Sequence, residues 1–270
     1  MEIQIKGHSG CQIDIINDGY NLYIYKSTYD PKYIERLNLQ AQKQKSAYQN
    51  EYQHIRIPEI FEIEKTDDNL IIKMEYVYSK NYIDYFEDAG FDNINYFIKA
   101  LKIFVDEEIK NSPIQHVYAK TVKDKFDDVL KKCQANVHIN NDEEVKTLLK
   151  SCGNVFSSLP EVMEMPIGKC HGDLTFSNIL FNGNNYYLID FLDSFIESPL
   201  MDLVKIRQDS KYEWSKHMYG GAVDETRLKI ISCKIDKEID KYYSQYDWYR
   251  KYYQTFQLMN FLRILQSIVR

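Results

Sequence analysis

Residues 171–178 read HGDLTFSN, and residues 189–193 read IDFLD. The first stretch places a carboxylate, Asp173, and an amide, Asn178, five residues apart. Two short β-prone runs around an NGNN turn connect it to the second stretch, and this pattern predicts a β-hairpin. Because a hairpin returns its second strand beside its first, we expect Asp190 to lie close to Asp173 and Asn178.

Two carboxylates and one amide in one place can transfer a phosphoryl group with the help of magnesium. One Asp, here Asp173, can orient and deprotonate a hydroxyl group, while Asn178 and Asp190 can hold the metal ion that bridges nucleotide phosphates. Each residue alone has a plainer interpretation, because Asn and Asp populate loops for reasons of turn geometry. The predicted convergence of the three side chains favours the catalytic interpretation.

The two stretches resemble the aminoglycoside phosphotransferase and choline kinase group, the small-molecule relatives of protein kinases. That group typically reads His-x-Asp-x-x-x-x-Asn and then Ile-Asp-Phe/Trp-x-Asp, whereas protein kinases prefer His-Arg-Asp and Asp-Phe-Gly. This chain has Gly172 in place of the Arg and Leu192 in place of the last Gly. The match is specific over roughly residues 168–205 and depends elsewhere on the order and spacing of elements.

The resemblance implies an α+β, two-lobed protein kinase-like fold. A small antiparallel-sheet lobe over residues 1–78 would bind the nucleotide, and a larger helical lobe over residues 79–270 would carry the catalytic loop and the acceptor site. ATP or GTP, together with Mg²⁺, would lie in the cleft between the lobes. The hydrophobic pattern agrees, since the first 28 residues alternate like strands and later segments show helical spacing. We expect helices over residues 31–53, 95–109, 120–133, 142–159, 223–245 and 247–270.

The N-terminal pattern of strand, glycine loop, strand, tight turn and strand predicts contacts to phosphates. Backbone amides around Gly7, Ser9 and Gly10 could approach phosphate oxygens, because a glycine loop has few side chains in the way. Lys26, on the third strand, could hold the same phosphates. A plain hairpin turn and a solvated strand lysine are the alternatives.

The resemblance also implies a purine-binding hinge and a partner for the strand lysine. Backbone groups near Glu75 and Val77 would hydrogen-bond the purine, although a core strand end explains the same sequence. Kinases usually offer a Glu from the first helix to the Lys. The usual position holds no acid here, so we expect either Glu35 or Gln42 to contact Lys26.

Further residues of the helical lobe have candidate roles. We predict that His171, together with Asp173, belongs to the catalytic site. We expect His171 to brace the loop rather than to transfer a proton. Asp193 could bind a second metal ion or a cationic substrate. Asp202 either braces the catalytic loop, as in the resembled group, or is a first-turn acid favoured by the helix dipole. Acids beside aromatic rings can hold an ammonium group, and the candidates for this contact are Asp193, Glu197, Asp209, Trp214 and Trp248.

Composition excludes several classes of partner. The formal charge of −6 and the pI near 5.6 argue against nucleic acid, which requires a basic stripe. The sequence contains no run of eighteen apolar residues, so it predicts no membrane span. The first residues do not have the pattern of a signal peptide. Five scattered Cys residues predict free thiols in a reducing cytoplasm rather than disulfides or a zinc site. No protein partner can be inferred.

We therefore expect a cytoplasmic phosphotransferase that moves the γ-phosphate of ATP, or of GTP, to a hydroxyl group of a small molecule. A sugar, an amino alcohol and an aminoglycoside-like compound all remain candidate acceptors. The alternative is a pseudokinase that binds nucleotide and acts as an interaction module. The departures from His-Arg-Asp and Asp-Phe-Gly argue against a true protein kinase.

Overall fold

The computed structural model describes residues 11–266 and, by their backbone, residues 2–6. The strands are β1 (Glu2–Lys6), β2 (Gln12–Asn17), β3 (Leu22–Thr28), β4 (Ile55–Arg56), β5 (Ile60–Lys65), β6 (Leu70–Glu75), β7 (Ile114–Tyr118), β8 (Val162–Pro166), β9 (Ile179–Asn182) and β10 (Asn185–Leu188). The helices are α1 (Pro31–Tyr48), α2 (Tyr82–Asp88), α3 (Phe91–Lys110), α4 (Ala119–Ala135), α5 (Val137–Asn140), α6 (Glu143–Ser157), α7 (Pro199–Ser210), α8 (Glu225–Tyr243) and α9 (Asp247–Leu265). No described helix is long and apolar enough to cross a membrane.

The N-terminal region is an antiparallel sheet with one helix packed on it. The sheet has the strand order β1-β2-β3-β6-β5. Helix α1 begins at Pro31, a residue that is favoured in the first helical turn. The side chain of Asp30 caps the helix by accepting the backbone N–H of Lys32. Its apolar face, at Ile34 and Leu37, packs on the sheet. The predicted α+β fold, with an antiparallel N-terminal sheet and a helical C-terminal region, is confirmed.

Strand β4 was not predicted, and it joins the chain between α1 and β5 to the helical region. Its two residues pair in parallel with Tyr186 and Tyr187 of β10. Ile55 and Ile57 are buried in the same core as the C-terminal helices. A strand of two residues has no periodicity that a sequence pattern could reveal. The proposed lobe boundary after residue 78 stays a prediction.

The hairpin predicted after residues 171–178 is present. β9 and β10 pair in antiparallel register, with Ile179 opposite Leu188, and Gly183 in the turn has φ +58°. Strands β7 and β8 also pair with each other, although the sequence analysis assigned only helices to this region. β7 is mostly exposed, so it lacks the alternation of buried and exposed residues that would have predicted a strand.

A cluster of aromatic side chains packs under the hairpin and under the end of the loop at residues 170–178. Phe97 of α3 is fully buried, with ring centroids 5.2 Å from Phe181, 5.0 Å from Tyr186 and 6.0 Å from Phe176. These partners lie on β9, on β10 and two residues before Asn178. The packing of α3 therefore fixes where the hairpin and the end of the loop lie.

Replacement of Phe97 by Ala should cost about 3–5 kcal/mol of the free energy of unfolding, because it opens a cavity under the hairpin. Phe91→Ala is the matched control on the same helix, since Phe91 is 66% exposed, and it should change stability by less than about 0.5 kcal/mol. Urea denaturation measures both. Similar losses in the two variants would contradict the supporting role of the cluster.

Candidate active site

The backbone of the loop at residues 170–178 is anchored by one buried carboxylate. Asp202 lies in the first turn of α7, whose first amides are capped by Ser198. Its side chain accepts the backbone N–H of His171 at 2.5 Å and that of Gly172 at 2.7 Å. Asp202 is fully buried, and burial raises the pKa of its carboxyl above the ordinary value. Of the two interpretations of Asp202, the contacts agree with the brace of the loop.

A second buried acid lies beside Asp202. Glu108 of α3 is 3% exposed, and burial together with the charge of Asp202 raises the pKa of its carboxyl well above the ordinary value. A protonated Glu108 beside an ionised Asp202 avoids placing two negative charges in one apolar site. The loop anchor therefore carries a single charge.

Glycine is required at position 172 by a close backbone approach. Gly172 has φ +88°, and a Cβ atom there would lie 1.9 Å from the carbonyl oxygen of Leu192. The Leu192 N–H in turn donates to the carbonyl of His171 at 3.0 Å. The Arg that protein kinases carry at this position has no room, which gives the departure from His-Arg-Asp a steric reason.

His171 is buried inside the loop with both ring nitrogens occupied. Nε2–H donates to the carbonyl of Ile189 at 2.9 Å, and Nδ1 accepts the N–H of Asp173 at 3.2 Å. Burial lowers the pKa of His171 below its ordinary value, so the ring is neutral near pH 7. The ring also lies 4.3 Å from that of Phe191. It thus joins the loop to the strand that leads to Asp190.

Asp173 is held by an amide and an ammonium group. Asn178 Nδ2 donates to the Asp173 carbonyl at 2.8 Å and to its Oδ2 at 3.1 Å. Lys205 Nζ, from α7, lies 3.0 Å from Oδ1. Burial alone would raise the pKa of Asp173, but the charge and hydrogen bond of Lys205 hold it below the ordinary value. Asp173 is therefore an oriented, ionised carboxylate.

Asp190 forms an ion pair with Lys26 of β3 in the N-terminal sheet. Lys26 Nζ lies 2.7 Å from Asp190 Oδ1, and the lysine is buried whereas the Asp190 side chain is 48% exposed. Burial would lower the pKa of Lys26, but Asp190 raises it above the ordinary value. The Ile189 N–H donates to the carbonyl of Asn178 at 3.1 Å, so Asp190 directly follows a contact with Asn178. Lys26 is thus not a solvated strand lysine.

Neither expected partner of Lys26 reaches it, and that prediction is wrong. Glu35 forms an ion pair with Lys65 at 2.5 Å, and Gln42 is exposed. The apolar face of α1 turns towards the sheet, which leaves both residues on the outer side of the helix. The helix instead directs Lys43 towards the segment that follows Asp190.

Lys43 was missed by the sequence analysis, and it connects α1 to the segment after Asp190. Its ammonium group donates to the carbonyl of Leu192 at 2.8 Å and to Glu197 Oε2 at 2.5 Å. Glu197 Oε1 accepts the N–H of Ser194 at 2.6 Å. No motif in the sequence marks Lys43, because the contact depends on which face of α1 meets the segment after Asp190.

Several residues proposed to hold an ammonium group are engaged elsewhere. Glu197 binds Lys43, and Asp209 accepts hydrogen bonds from Phe176 N–H, Ser215 N–H and Ser215 Oγ. Burial raises the pKa of Asp209 to about 6. Trp248 is buried in the core of the helical region, and Trp214 is partly buried.

The residues predicted to hold a magnesium ion were Asn178, Asp190 and Asp193. Asp193 is exposed, and within the described part of the chain no three His, Cys, Asp or Glu side chains form a cluster that could hold a metal ion. Mg²⁺ is typically bound by one or two carboxylates together with the phosphates of the substrate. The half-exposed carboxylate of Asp190 beside Asn178 fits that requirement.

The expected hinge is only partly suited to hold a purine. The Glu75 N–H donates to the Glu59 carbonyl at 2.8 Å, so this amide is already used, and the Val77 carbonyl accepts Ser79 Oγ at 3.2 Å. The following residue, Lys80, pairs with Phe181 of β9. The predicted phosphate loop, with Gly7, Ser9 and Gly10, lies outside the described residues.

The model of the phosphotransferase enzyme family, APH, matches residues 121–225, which include Asp173, Asn178 and Asp190. No sequence in a search of curated proteins matches the chain. Among solved structures, a mutant aminoglycoside 2′-phosphotransferase in complex with GDP matches with a TM-score of 0.61 and 16% identity, over 98% of this chain and 91% of its own.

Two sugar-related kinases are similar to a lesser degree. A candidate fructosamine-3-kinase from Haemophilus somnus 129PT has a TM-score of 0.51 and 13% identity, over 96% of this chain and 90% of its own. A glucosamine kinase in complex with glucosamine, ADP and inorganic phosphate has a TM-score of 0.51 and 11% identity, over 98% and 73%. The predicted resemblance is confirmed: the chain has the kinase-like fold of these structures, and its residues 121–225 match the phosphotransferase enzyme family.

Proposed function

We propose that this protein is a small-molecule kinase that transfers the terminal phosphoryl group of ATP or GTP to a hydroxyl group. The observation that carries the proposal is that the hydrogen-bonded pair Asp173–Asn178 lies next to the Lys26–Asp190 ion pair, since the Ile189 N–H directly before Asp190 donates to the Asn178 carbonyl. Structural relatives are complexes with GDP or ADP, and two of them hold kanamycin or glucosamine. These complexes support a nucleotide donor and a small acceptor.

Lys26 and Asp190 form the nucleotide end of the site. Lys26 is buried and charged, so its ammonium group can bind phosphate oxygens once Asp190 turns to a metal ion. Asn178 and Asp190 would hold Mg²⁺, which supplies neutralisation of the phosphate charge when bound. Glu75 and Val77 remain the proposed hinge contacts, and Gly7, Ser9 and Gly10 the proposed phosphate loop. Asp193 is a proposed additional metal contact.

Asp173 is the proposed acceptor-side catalytic residue. Asn178 and the neutral ring of His171 fix the backbone and carboxylate of Asp173. Because its pKa is low, Asp173 orients the substrate hydroxyl by accepting its hydrogen bond and takes the proton late in the reaction. This is sufficient for phosphoryl transfer, where the transition state is loose and catalysis is mostly positioning and charge neutralisation.

Nucleotide binding should stabilise the protein in a way that depends on Lys26. Mg-ATP or Mg-GTP at about 100 times its Kd adds about 2.7 kcal/mol to the free energy of unfolding, so the Tm should rise by several degrees. Lys26→Met should lose most of this shift, whereas Lys65→Met, which removes an exposed lysine of the same sheet, should keep it. A wild-type protein without any shift would exclude the nucleotide site.

The two aspartates should fail in different steps. Asp190→Asn should weaken Mg-nucleotide binding, because it removes a charged oxygen from a hard cation. Asp173→Asn should bind nucleotide almost as the wild type does but lose about a hundredfold or more in turnover. Isothermal titration and ADP release measure the two effects. Asp67→Asn, in an exposed turn, is the control and should change neither.

Two results of this comparison would contradict the assignment. Full turnover in Asp173→Asn would show that the loop is not the catalytic loop. Nucleotide binding without any turnover in the wild-type protein, with every hydroxyl acceptor tested, would favour the pseudokinase alternative.

A further inference from the structure

The surroundings of Asp173 on the acceptor side are positively charged. Lys205, one turn after Asp202 on α7, lies 3.0 Å from the Asp173 carboxylate, and its side chain is only 12% exposed. Gln208 Oε1, 3.4 Å from Nζ, is its other hydrogen-bond acceptor. An ammonium group brought to the Asp173 carboxylate would meet Lys205 at the same atoms. Like charges at such a distance repel strongly where solvent is excluded.

A second cation is Arg263 of α9. Its guanidinium lies 5.8 Å from the centre of the Phe195 ring, in the segment that follows Asp190. Among the described residues, none forms a hydrogen bond or an ion pair with it. Burial lowers the pKa of Arg263, while the charge of Asp173 acts in the opposite sense and that of Arg36 adds to the lowering. Arg263 is thus a partly buried cation beside the Phe195 ring that no anion among the described residues binds.

The acids that could balance these charges are mostly used. Glu197 is bound by Lys43 and the Ser194 amide, and Asp209 by three hydrogen bonds around Phe176 and Ser215. Asp193 is exposed to solvent. Asp173 is itself paired with Lys205, so Arg263 is left without a carboxylate partner among the described residues. A partly buried guanidinium without a partner is costly unless an anion binds it.

We propose that the acceptor carries an oxyanion close to the hydroxyl group that is phosphorylated, an inference that rests on the proposed kinase function. The oxyanion is a carboxylate or a phosphate, and Arg263 and Lys205 bind it. The planar guanidinium suits such a group, because it can donate two parallel hydrogen bonds to two oxygens. Lys205 would then leave Asp173 Oδ1 free for the hydroxyl as it turns to the oxyanion. The acceptor is thus distinguished from a cationic aminoglycoside or amino alcohol.

The test compares acceptors that share a carbon skeleton and differ in charge. One set is glucuronate, glucose and glucosamine; the other is glycerate, glycerol and 2-amino-1,3-propanediol. Glycerol 3-phosphate extends the second set and separates phosphate from carboxylate recognition. With Mg-ATP, the anionic member of at least one set should have kcat/KM about tenfold or more above its neutral and cationic counterparts, the equivalent of one charge-assisted contact.

Arg263→Gln should then raise the KM for the anionic acceptor about tenfold and leave the KM for ATP unchanged within about twofold. Arg250→Gln is the matched control, because Arg250 lies on the same helix, is exposed and pairs with Asp247. It should leave both constants unchanged. In parallel, thermal shifts of the Mg-ADP complex measure binding of glucuronate, glycerate and glycerol 3-phosphate without turnover.

Three results would overturn the inference. Preference for the cationic or neutral member of both sets is one. A second such result is that Arg263→Gln lowers kcat equally for all acceptors and leaves the KM for the acceptor unchanged. Arg263 would then act on the transferred phosphoryl group and not on the acceptor. The third is a Mg-ADP complex that none of the anions stabilises through Arg263. Failure of the proposed function itself would differ, since the nucleotide-dependent shift would then be absent.

Discussion

The carboxylate of Asp202 holds together the backbone on which the whole site depends. It accepts hydrogen bonds from the backbone amides of His171 and Gly172, and these two bonds fix the backbone directly before Asp173. The charge is buried, which is costly unless hydrogen bonds satisfy it. Here two backbone amides do so, and Glu108 beside it is kept neutral by the same burial. The loop geometry therefore follows from where α7 begins, since Asp202 lies in its first turn.

A second set of contacts closes the site from the other side. Gly172 lets the chain approach the Leu192 carbonyl, and Lys43 of α1 binds that same carbonyl together with Glu197. The sheet with its helix is thus joined to the segment after Asp190 by a lysine, while Lys26 joins the sheet to Asp190 itself. Two lysines take the place of the single Lys–Glu pair expected from kinases. Movements of α1 should consequently act on the acceptor-side segment, not only on the nucleotide phosphates.

Local patterns predicted the parts of the site that lie close together in sequence. The Asn-Gly turn and its flanking β-prone runs were sufficient to place Asp190 beside Asn178, because a hairpin has one register. Contacts made across the fold were not predictable in this way. Lys43, Lys205 and Arg263 lie on three different helices, and which helix face meets the loop is decided by packing. The same limit explains the error for Glu35 and Gln42, whose positions depend on how α1 rotates on the sheet. β4 was missed because two residues are too few to show a pattern. β7 was missed because a mostly exposed strand shows no alternation of apolar and polar residues.

The most direct test of the central claim is ³¹P NMR of a reaction that contains Mg-ATP, the protein and a mixture of neutral, cationic and anionic hydroxyl compounds. If the loop anchored by Asp202 places a catalytic Asp173 beside the nucleotide, a phosphate-ester resonance must grow as the γ-phosphate resonance of ATP declines and ADP appears in equal amount. The same mixture with Asp173→Asn should show almost no ester. Ester formation at an equal rate in both proteins, or no consumption of the γ-phosphate by the wild-type protein, would contradict the account.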